Sequence, residues 1–320
     1  MNQQNQLERT ALFTGATPAL ILPMHARRTN ATPYIDWDAF EMQVYRQKNA
    51  GTTAFLANGT TGECATMDPK EESQTIQTVR SIIGPRQPDG TNTIIGGITC
   101  ANDTLGATLD SAFRNAEAGA DMQMLCAPYY NKTSQRGLLK IFNAITDRVD
   151  LPLMTYNVPG RTNMHIKPET LAELYNQNPL FMAHKEANSD QFAATAAALN
   201  GKVAWYSGED AQNYDASTLG AIGYISVAQN AFPEHLNHLY QLCAEGNWEA
   251  AEAFQAELYE LCVALFPPEY PSPSGIKALM AEMNLCEETA RLPVDTLESG
   301  QPERERLAQL GRELDAKKLV

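Results

Sequence analysis

The sequence predicts an α/β protein, a (β/α)8 barrel followed by a C-terminal helical extension. Short apolar runs of strand length alternate with longer stretches in which apolar residues recur every three or four positions. Eight such runs fall within about 220 residues, which fits a closed barrel of parallel strands with helical crossovers. The G-x-G-x-x-G motif that typically follows the first strand of an open doubly wound sheet is missing.

The eight apolar runs are the predicted strands. They occupy residues 13–22, 53–56, 93–98, 122–126, 153–156, 180–185, 203–206 and 222–227. The stretches between them have helical periodicity. Ile76, Val79 and Ile83, for example, are spaced by three and four residues after Pro69, which suits a first helical turn. Each predicted helix therefore connects two parallel strands.

The chain after the eighth strand is predicted to be helical. The candidate helices cover residues 233–244, 248–266, 276–283 and 303–317. A proline-rich loop over residues 267–273 separates two of them and does not have the composition of a domain linker. We expect residues 10–232 to form the barrel that carries the active site. Residues 233–320 would then form the last barrel helix and the extension.

The composition excludes several classes of function. The 320 residues include 38 acidic and 24 basic side chains, and this net charge of -14 disfavours binding to nucleic acid or to an anionic membrane. No apolar window is long enough for a transmembrane helix, and the N-terminus has no stretch of the signal-peptide type. The six cysteines contain no C-x-x-C pair, so we expect free thiols in the cytoplasm. His235 and His238 have no third ligand nearby in the sequence, so no metal site is expected.

Reactive side chains are concentrated where the predicted strands end. A barrel of this type has its active site at the carboxyl ends of its strands. The segments at these ends are Asn58-Gly59-Thr60-Thr61-Gly62-Glu63, Pro128-Tyr129-Tyr130-Asn131-Lys132, Tyr156-Asn157-Val158-Pro159-Gly160-Arg161-Thr162, Lys185-Glu186 and Ser207-Gly208. Hydroxyl groups, tyrosines, one arginine and one lysine would then converge on one opening.

Lys185 is the most informative of these residues. It ends an interior strand, and lysine is rarely buried in such a position. Desolvation would lower the pKa of its amine and leave a neutral nucleophile able to attack a ketone. The alternative is a structural lysine that extends to solvent, and the position alone favours that alternative.

The neighbouring side chains each have a structural and a functional interpretation. Tyr156 is either a packed aromatic residue or, beside a lysine nucleophile, a proton shuttle. Arg161 either forms a surface ion pair or binds a substrate carboxylate through two parallel hydrogen bonds. Thr60 and Thr61 either complete a tight turn or bind a small anion. Glu63 is a candidate base, but we expect it to cap the start of the next helix.

These motifs, in this order, resemble the dihydrodipicolinate synthase and N-acetylneuraminate lyase family of class I aldolases. The resemblance extends from Phe13 to Pro293 and includes Ile225-Ser226-Val227 at the eighth strand. It implies that Lys185 forms a Schiff base with pyruvate. Because the lysine supplies the covalent electron sink, the resemblance implies neither a cofactor nor a metal.

The resemblance also implies a proton relay and an oligomer. Tyr156, Thr60 and Tyr130 would form the relay. In the family, the tyrosine that matches Tyr130 reaches into the site of the neighbouring subunit, so catalysis would need at least a dimer. Members are commonly homotetramers built as a dimer of dimers, and we expect the same assembly here.

Four further residues would bind the substrates by the same resemblance. Thr61 would help to hold the pyruvate carboxylate, Arg161 would hold the carboxylate of L-aspartate 4-semialdehyde, and the backbones of Gly208 and Ile225 would line the pocket. The implied product is 4-hydroxy-tetrahydrodipicolinate, the entry to lysine and diaminopimelate synthesis. Arg161 and the Thr60-Thr61 pair favour this reaction over the lyases that accept sugars.

Two alternatives stay open at this point. One is another pyruvate-dependent aldolase or lyase, acting on N-acetylneuraminate or on a 2-keto-3-deoxy sugar acid. The other is a non-catalytic barrel that binds a keto acid. A complete relay at Lys185, Tyr156, Tyr130 and Thr60 disfavours the second alternative.

Some positions depart from the family pattern. His184 precedes Lys185 where an aliphatic residue is common, and Cys100 lies in a segment that has lost a glycine. Lysine-sensitive members have an acidic residue shortly after the asparagine that matches Asn102, and Gly106 occupies that place. We therefore expect weak or absent inhibition by lysine.

Overall fold

Eight parallel strands surround the centre of the molecule. The computed structural model describes residues 13–26, 32–98, 105–317 and 319. In chain order its strands are β1 (Gly15–Pro18), β2 (Met24–His25), β3 (Tyr34–Ile35), β4 (Ala54–Ala57), β5 (Thr93–Ile98), β6 (Met122–Cys126), β7 (Leu153–Asn157), β8 (Phe181–Glu186), β9 (Ala204–Ser207) and β10 (Gly223–Ser226). All except β2 and β3 form one sheet in the order β1-β10-β9-β8-β7-β6-β5-β4. The two ends of this sheet meet at a parallel bridge between Ala19 and Leu56, so the strands form a nearly closed barrel. The predicted fold class is confirmed.

The observed strands follow the predicted ones closely. The third and fourth predicted strands have the bounds of β5 and β6. The first is shorter than predicted, because β1 ends at Pro18. Beyond it, β2 and β3 form an antiparallel pair that the sequence analysis does not predict. Strands of two residues are too short to produce a recognisable alternation of apolar and polar residues.

Helices cover the barrel on the outside. In chain order they are α1 (Trp37–Asn49), α2 (Pro69–Ile83), α3 (Leu105–Ala118), α4 (Gln135–Thr146), α5 (Pro159–Thr162), α6 (Pro168–Gln177), α7 (Phe192–Leu199), α8 (Asn213–Thr218), α9 (Pro233–Ala244), α10 (Trp248–Ala264), α11 (Ser274–Glu282) and α12 (Pro302–Asp315). The four predicted C-terminal helices are confirmed as α9 to α12, with ends within two residues of those expected. Asp68 and Glu71 form a capping box that fixes the start of α2.

Apolar side chains fill the interior of the barrel. Phe13 and Tyr206 stack with their ring centroids 4.4 Å apart, and the Tyr206 hydroxyl donates to the Phe13 carbonyl oxygen at 2.8 Å. Met124, Met154 and Ile225 belong to the same interior cluster. Because side chains fill this interior, the barrel is a packed core without room for a substrate. We therefore expect the substrate site in the loops at the strand ends.

The C-terminal helices share an apolar core with the barrel. One cluster of buried side chains includes Tyr224 on β10, Leu239 on α9, Leu279 on α11 and Leu307 on α12. The division at residue 232 therefore marks a change from strand–helix alternation to helices alone. That residue 232 is also a boundary between domains stays a prediction.

Two expectations drawn from the composition concern the described part of the chain. The five cysteines within it form no disulfide bond with one another, and Cys100 lies outside it. None of the helices described is long and apolar enough to cross a membrane.

Candidate active site

A cavity of about 330 Å³ opens at the carboxyl ends of the barrel strands. Thr60 follows β4, Tyr156 belongs to β7, and Arg161 lies on the short helix α5 directly after β7. The C-terminal part of the chain contributes a further wall of Ser272, Pro273, Pro293 and Val294. Segments far apart in the sequence therefore meet around one space. Of the strand ends expected to converge, those of β4, β6 and β7 line this space, whereas Lys185 and Gly208 do not.

Lys185 and Tyr156 are neighbours across two adjacent strands. The parallel register of β7 and β8 pairs them directly, so both side chains emerge on the same face of the sheet. The Lys185 ammonium nitrogen lies 4.4 Å from the centroid of the Tyr156 ring. Lys185 is only 5 % exposed, so it does not extend to solvent as the structural interpretation requires.

Burial controls the ionisation of this pair. Desolvation lowers the pKa of Lys185 to about 8, although Asp210 and Glu209 act in the opposite direction. Desolvation also raises the pKa of Tyr156, so its phenol stays protonated at neutral pH. With a pKa of about 8, roughly a tenth of the lysine is uncharged at pH 7, and the ring of the protonated Tyr156 lies beside it.

Gly208 leaves the room that Lys185 occupies. A methyl group on Gly208 would lie 2.7 Å from the Lys185 Cε atom. The Gly208 N–H donates to the carbonyl oxygen of Glu186 at 2.7 Å, which holds the two strand ends together. Ile225 is buried on β10 in the interior cluster of the barrel. Gly208 thus lies beside the lysine, and Ile225 lies in the core.

Thr60 and Thr61 lie in a short 3-10 turn, Thr60–Gly62, directly after β4. Thr60 lines the cavity, whereas Thr61 is buried. Gly97 on β5 permits this arrangement, because a methyl group there would lie 2.1 Å from the Asn58 carbonyl oxygen. The chain before this turn therefore approaches the neighbouring strand closely, and the turn brings Thr60 to the cavity.

Arg161 faces the cavity and is fixed by the C-terminal wall. Its Nη2 atom donates to the carbonyl oxygen of Ser272 at 2.9 Å. Among the described residues it forms no ion pair, so the surface ion pair considered for it is not the arrangement observed. The other donors of its guanidinium group are available to a carboxylate.

Tyr130 does not line this cavity. It is 83 % exposed, whereas its neighbour Tyr129 does line it. Within one chain, Thr60, Tyr156 and Arg161 therefore line the cavity, Lys185 contacts Tyr156 without lining it, and Tyr130 lies outside.

The expected role of Glu63 as a helix cap is wrong. The cap of α2 is Asp68, and the side chain of Glu63 makes no capping hydrogen bond. Its buried carboxylate accepts instead from the Lys277 ammonium group through Oε1 and from the Arg291 N–H through Oε2, the latter at 2.8 Å. No sequence motif indicates a role for Lys277, which is fully buried on α11. Its place within the apolar segment around Ile276 was the available signal.

A second buried polar cluster lies behind Lys185. The ring of His184 contacts Thr155 Oγ1 through Nδ1 at 2.8 Å and Glu186 Oε2 through Nε2 at 3.3 Å. Glu186 Oε1 accepts from Asn157 Nδ2 at 2.8 Å. Because side chains alternate along a strand, this cluster lies on the face of β8 opposite to Lys185. It explains how His184 is accommodated where an aliphatic residue is common in the family.

The expectations of no metal site and of weak inhibition by lysine both stay predictions. Within the described ranges, no group of three or more His, Cys, Asp and Glu side chains could hold a metal ion. Asn102 and Cys100 lie outside the described residues, whereas Gly106 lies exposed in α3.

A (β/α)8 barrel with a buried lysine of lowered pKa beside a tyrosine at its strand ends is the arrangement of a class I aldolase. A model described as "Dihydrodipicolinate synthetase family" matches residues 12–310, and the chain belongs to this family. It is 34% identical over 303 residues to the 4-hydroxy-tetrahydrodipicolinate synthase of Pseudomonas syringae pv. syringae (strain B728a), which covers 94% of this chain and 99% of that relative.

The fold of this chain is similar to solved structures over almost its whole length. The chloride-inhibited dihydrodipicolinate synthase of Acinetobacter baumannii, complexed with pyruvate, superimposes with a TM-score of 0.85 at 30% identity and covers 94% of this chain and 99% of that one. The enzyme of Cyanidioschyzon merolae with lysine bound gives a TM-score of 0.83 at 28% identity, with coverage of 93% and 97%. The resemblance to the family noted in the sequence is confirmed.

Proposed function

We propose that the protein is a 4-hydroxy-tetrahydrodipicolinate synthase, which condenses pyruvate with L-aspartate 4-semialdehyde. The observation that carries this proposal is the buried Lys185 amine, with a pKa of about 8, in contact with Tyr156 beside a cavity that also contains Arg161. The names of the relatives that match almost the whole chain support the same reaction.

The first half of the reaction builds an enamine on Lys185. The neutral Nζ atom adds to the C2 carbonyl of pyruvate, and Tyr156 passes protons to the departing oxygen as water is lost. Thr60 connects this relay, and Thr61 holds the pyruvate carboxylate. The protonated imine withdraws electrons from C3, which then loses a proton. Because this imine is the electron sink, the mechanism calls for no cofactor or metal.

The second half uses Arg161. Its guanidinium group binds the carboxylate of the semialdehyde and brings the aldehyde carbon to the enamine. C3 of the enamine attacks this carbon, a C–C bond forms, and the aldehyde oxygen takes a proton. The substrate amine then attacks the imine carbon, closes the ring and releases the Lys185 amine.

The cavity favours this acceptor over a sugar. Its lining is largely apolar apart from Thr60, Glu63, Arg161 and a few amide and hydroxyl groups. Glu63 is already paired with Lys277. A polyhydroxylated aldehyde would leave several hydroxyl groups unsatisfied in such a space, whereas a short carboxylate-bearing aldehyde requires one cation.

We further propose a homotetramer built as a dimer of dimers, in the cytoplasm. The exposure of Tyr130 supports the assembly, because a partner subunit would cover a large aromatic residue next to the cavity-lining Tyr129. The absence of disulfide bonds among the described cysteines supports the location.

An acceptor panel tests the proposed reaction. Purified protein receives pyruvate with L-aspartate 4-semialdehyde, N-acetylmannosamine or glyceraldehyde, and Lys185→Ala serves as the blank. Turnover with the semialdehyde alone is expected. Turnover only with a sugar aldehyde would retain the Schiff base but refute the acceptor. If borohydride does not trap pyruvate on Lys185, the proposed mechanism is wrong.

A further inference from the structure

We propose that the buried pair of Glu63 and Lys277 positions the wall of the acceptor pocket and thereby sets the fit of the aldehyde substrate. Neither residue is assigned to the reaction above: both act as positioning residues, through Ser272 and Arg161. The inference rests on the proposed function, because it concerns the acceptor half of that site.

Two C-terminal segments form this wall, and each is attached to one oxygen of the same carboxylate. Glu63 Oε1 accepts from Lys277, whose backbone N–H donates to the Pro273 carbonyl oxygen at 3.0 Å. Glu63 Oε2 accepts from the N–H of Arg291, two residues before Pro293. Pro273 and Pro293 both line the cavity. A single side chain therefore fixes both segments.

Glu63 belongs to the same turn as Thr60, so the carboxylate also connects the wall to the pyruvate side of the cavity. Its backbone has a left-handed conformation with φ of 54°, which is uncommon for residues other than glycine. The Glu63 N–H donates to the Thr60 carbonyl oxygen at 3.0 Å, and the Glu63 carbonyl oxygen accepts from Thr66 Oγ1 at 2.9 Å. The turn is thus fixed by its own hydrogen bonds, independently of Lys277.

The wall in turn fixes the acceptor-binding arginine. The Ser272 carbonyl oxygen accepts from Arg161 Nη2 at 2.9 Å, and Ser272 directly precedes Pro273. A shift of the segment before α11 would therefore move the guanidinium group. An error of about 1 Å in such a group can lower a rate by roughly 100-fold.

Stability alone is a weak reason to bury this pair. Lys277 and Glu63 have fully buried side chains, and burial lowers the pKa of Lys277 although Glu63 opposes this. Desolvating two charges costs about as much as their attraction returns, so an apolar pair of similar size is often equally stable. An ion pair with additional hydrogen bonds instead fixes the relative positions of the segments that it joins. Lys277 also donates to the Thr289 carbonyl oxygen at 2.6 Å, so its amine joins the helix, the turn and the segment before Arg291.

Replacement of Lys277 tests this inference. We compare the wild type with Lys277→Met, which keeps the length of the side chain but removes the ammonium group. The expected result is an apparent KM for the semialdehyde raised about 10-fold or more, with borohydride trapping of pyruvate within about two-fold of the wild type. Arg114→Met is the matched control, because the ion pair of Arg114 with Glu72 lies between α2 and α3 and neither residue lines the cavity.

Three outcomes would overturn the inference and leave the proposed function intact. One is an unchanged KM for the semialdehyde in folded Lys277→Met. Another is an equal loss of trapping and turnover together with a loss of thermal stability, which indicates a merely structural role. Where the single variant does not fold, the double variant Glu63→Gln/Lys277→Met leaves no unpaired charge, and normal acceptor kinetics in it would also refute the inference. Failure of the wild type itself to consume the semialdehyde would instead refute the proposed function and the inference with it.

Discussion

Burial gives Lys185 the lowered amine pKa that the proposed nucleophile requires. Its side chain is 5 % exposed and in contact with the Tyr156 ring, and desolvation lowers its pKa from 10.5 to about 8. Sequence position alone favours a structural lysine. The decisive quantity is therefore the solvent exposure of one amine, which depends on side chains from several strands.

This lowered pKa predicts the pH dependence of Schiff-base formation. The neutral amine is the nucleophile, so the rate of borohydride trapping with pyruvate should rise with pH through a midpoint near 8 and level off above it. The measurement is the initial rate of adduct formation, followed by mass spectrometry from about pH 6 to about 11.5, a range that includes the ordinary lysine pKa. A midpoint near the ordinary value of 10.5 would show that the amine is solvated.

The absence of a side chain at Gly208 is a second requirement of the site. In Gly208→Ala the new methyl group would meet the Lys185 Cε atom at 2.7 Å and displace the amine. Trapping of pyruvate should slow by about 10- to 100-fold in a protein that still folds. Gly160→Ala is the control, because a methyl group on Gly160 has no atom within 4 Å. Equal trapping rates in the two variants would contradict this role.

At the scale of elements, strand β8 carries different chemistry on its two faces. Lys185 lies on one face, and His184 and Glu186 lie on the other in a buried cluster with Thr155. Replacement of His184 by leucine should lower the free energy of unfolding by about 1–3 kcal/mol. The reason is that the Thr155 hydroxyl and the Glu186 carboxylate each lose the imidazole as a hydrogen-bond partner. Chemical denaturation of His184→Leu measures this loss. The double variant His184→Leu/Thr155→Val also removes the unpaired hydroxyl, so the comparison gives the interaction energy between His184 and Thr155. An unchanged stability in His184→Leu would show that the cluster contributes nothing.

Local patterns in the sequence are sufficient to locate most elements. The bounds of β5, β6 and α9 follow from short apolar runs, helical spacing and a proline at the first turn. The pair of Glu63 and Lys277 could not be found in this way, since its members lie 214 residues apart and only the closed barrel brings them together. For Glu63 the local pattern predicts a helix cap, because that is the commonest local role of a carboxylate before a helix. Interactions that depend on folding between distant segments are thus the part that local patterns miss.

At the scale of the whole molecule, the described chain supplies every part of the proposed site except the last member of its relay. Lys185, Tyr156, Thr60 and Arg161 converge within one barrel, but Tyr130 is 83 % exposed and lies outside the cavity. A second subunit that contributes its own Tyr130 would complete the relay. Two variants, Lys185→Ala and Tyr130→Phe, should then have defects in different parts of the same composite site.

Mixing these two variants tests the shared site. A hybrid dimer has one site that combines the intact Lys185 of one subunit with the intact Tyr130 of the other. Random exchange between equal amounts should therefore restore about a quarter of wild-type activity, because half of the dimers are hybrids and each has one intact site of two. Native mass spectrometry confirms the exchange, and Lys185→Ala alone gives the baseline. Exchange without recovered activity would mean that Tyr130 acts within its own subunit or not at all.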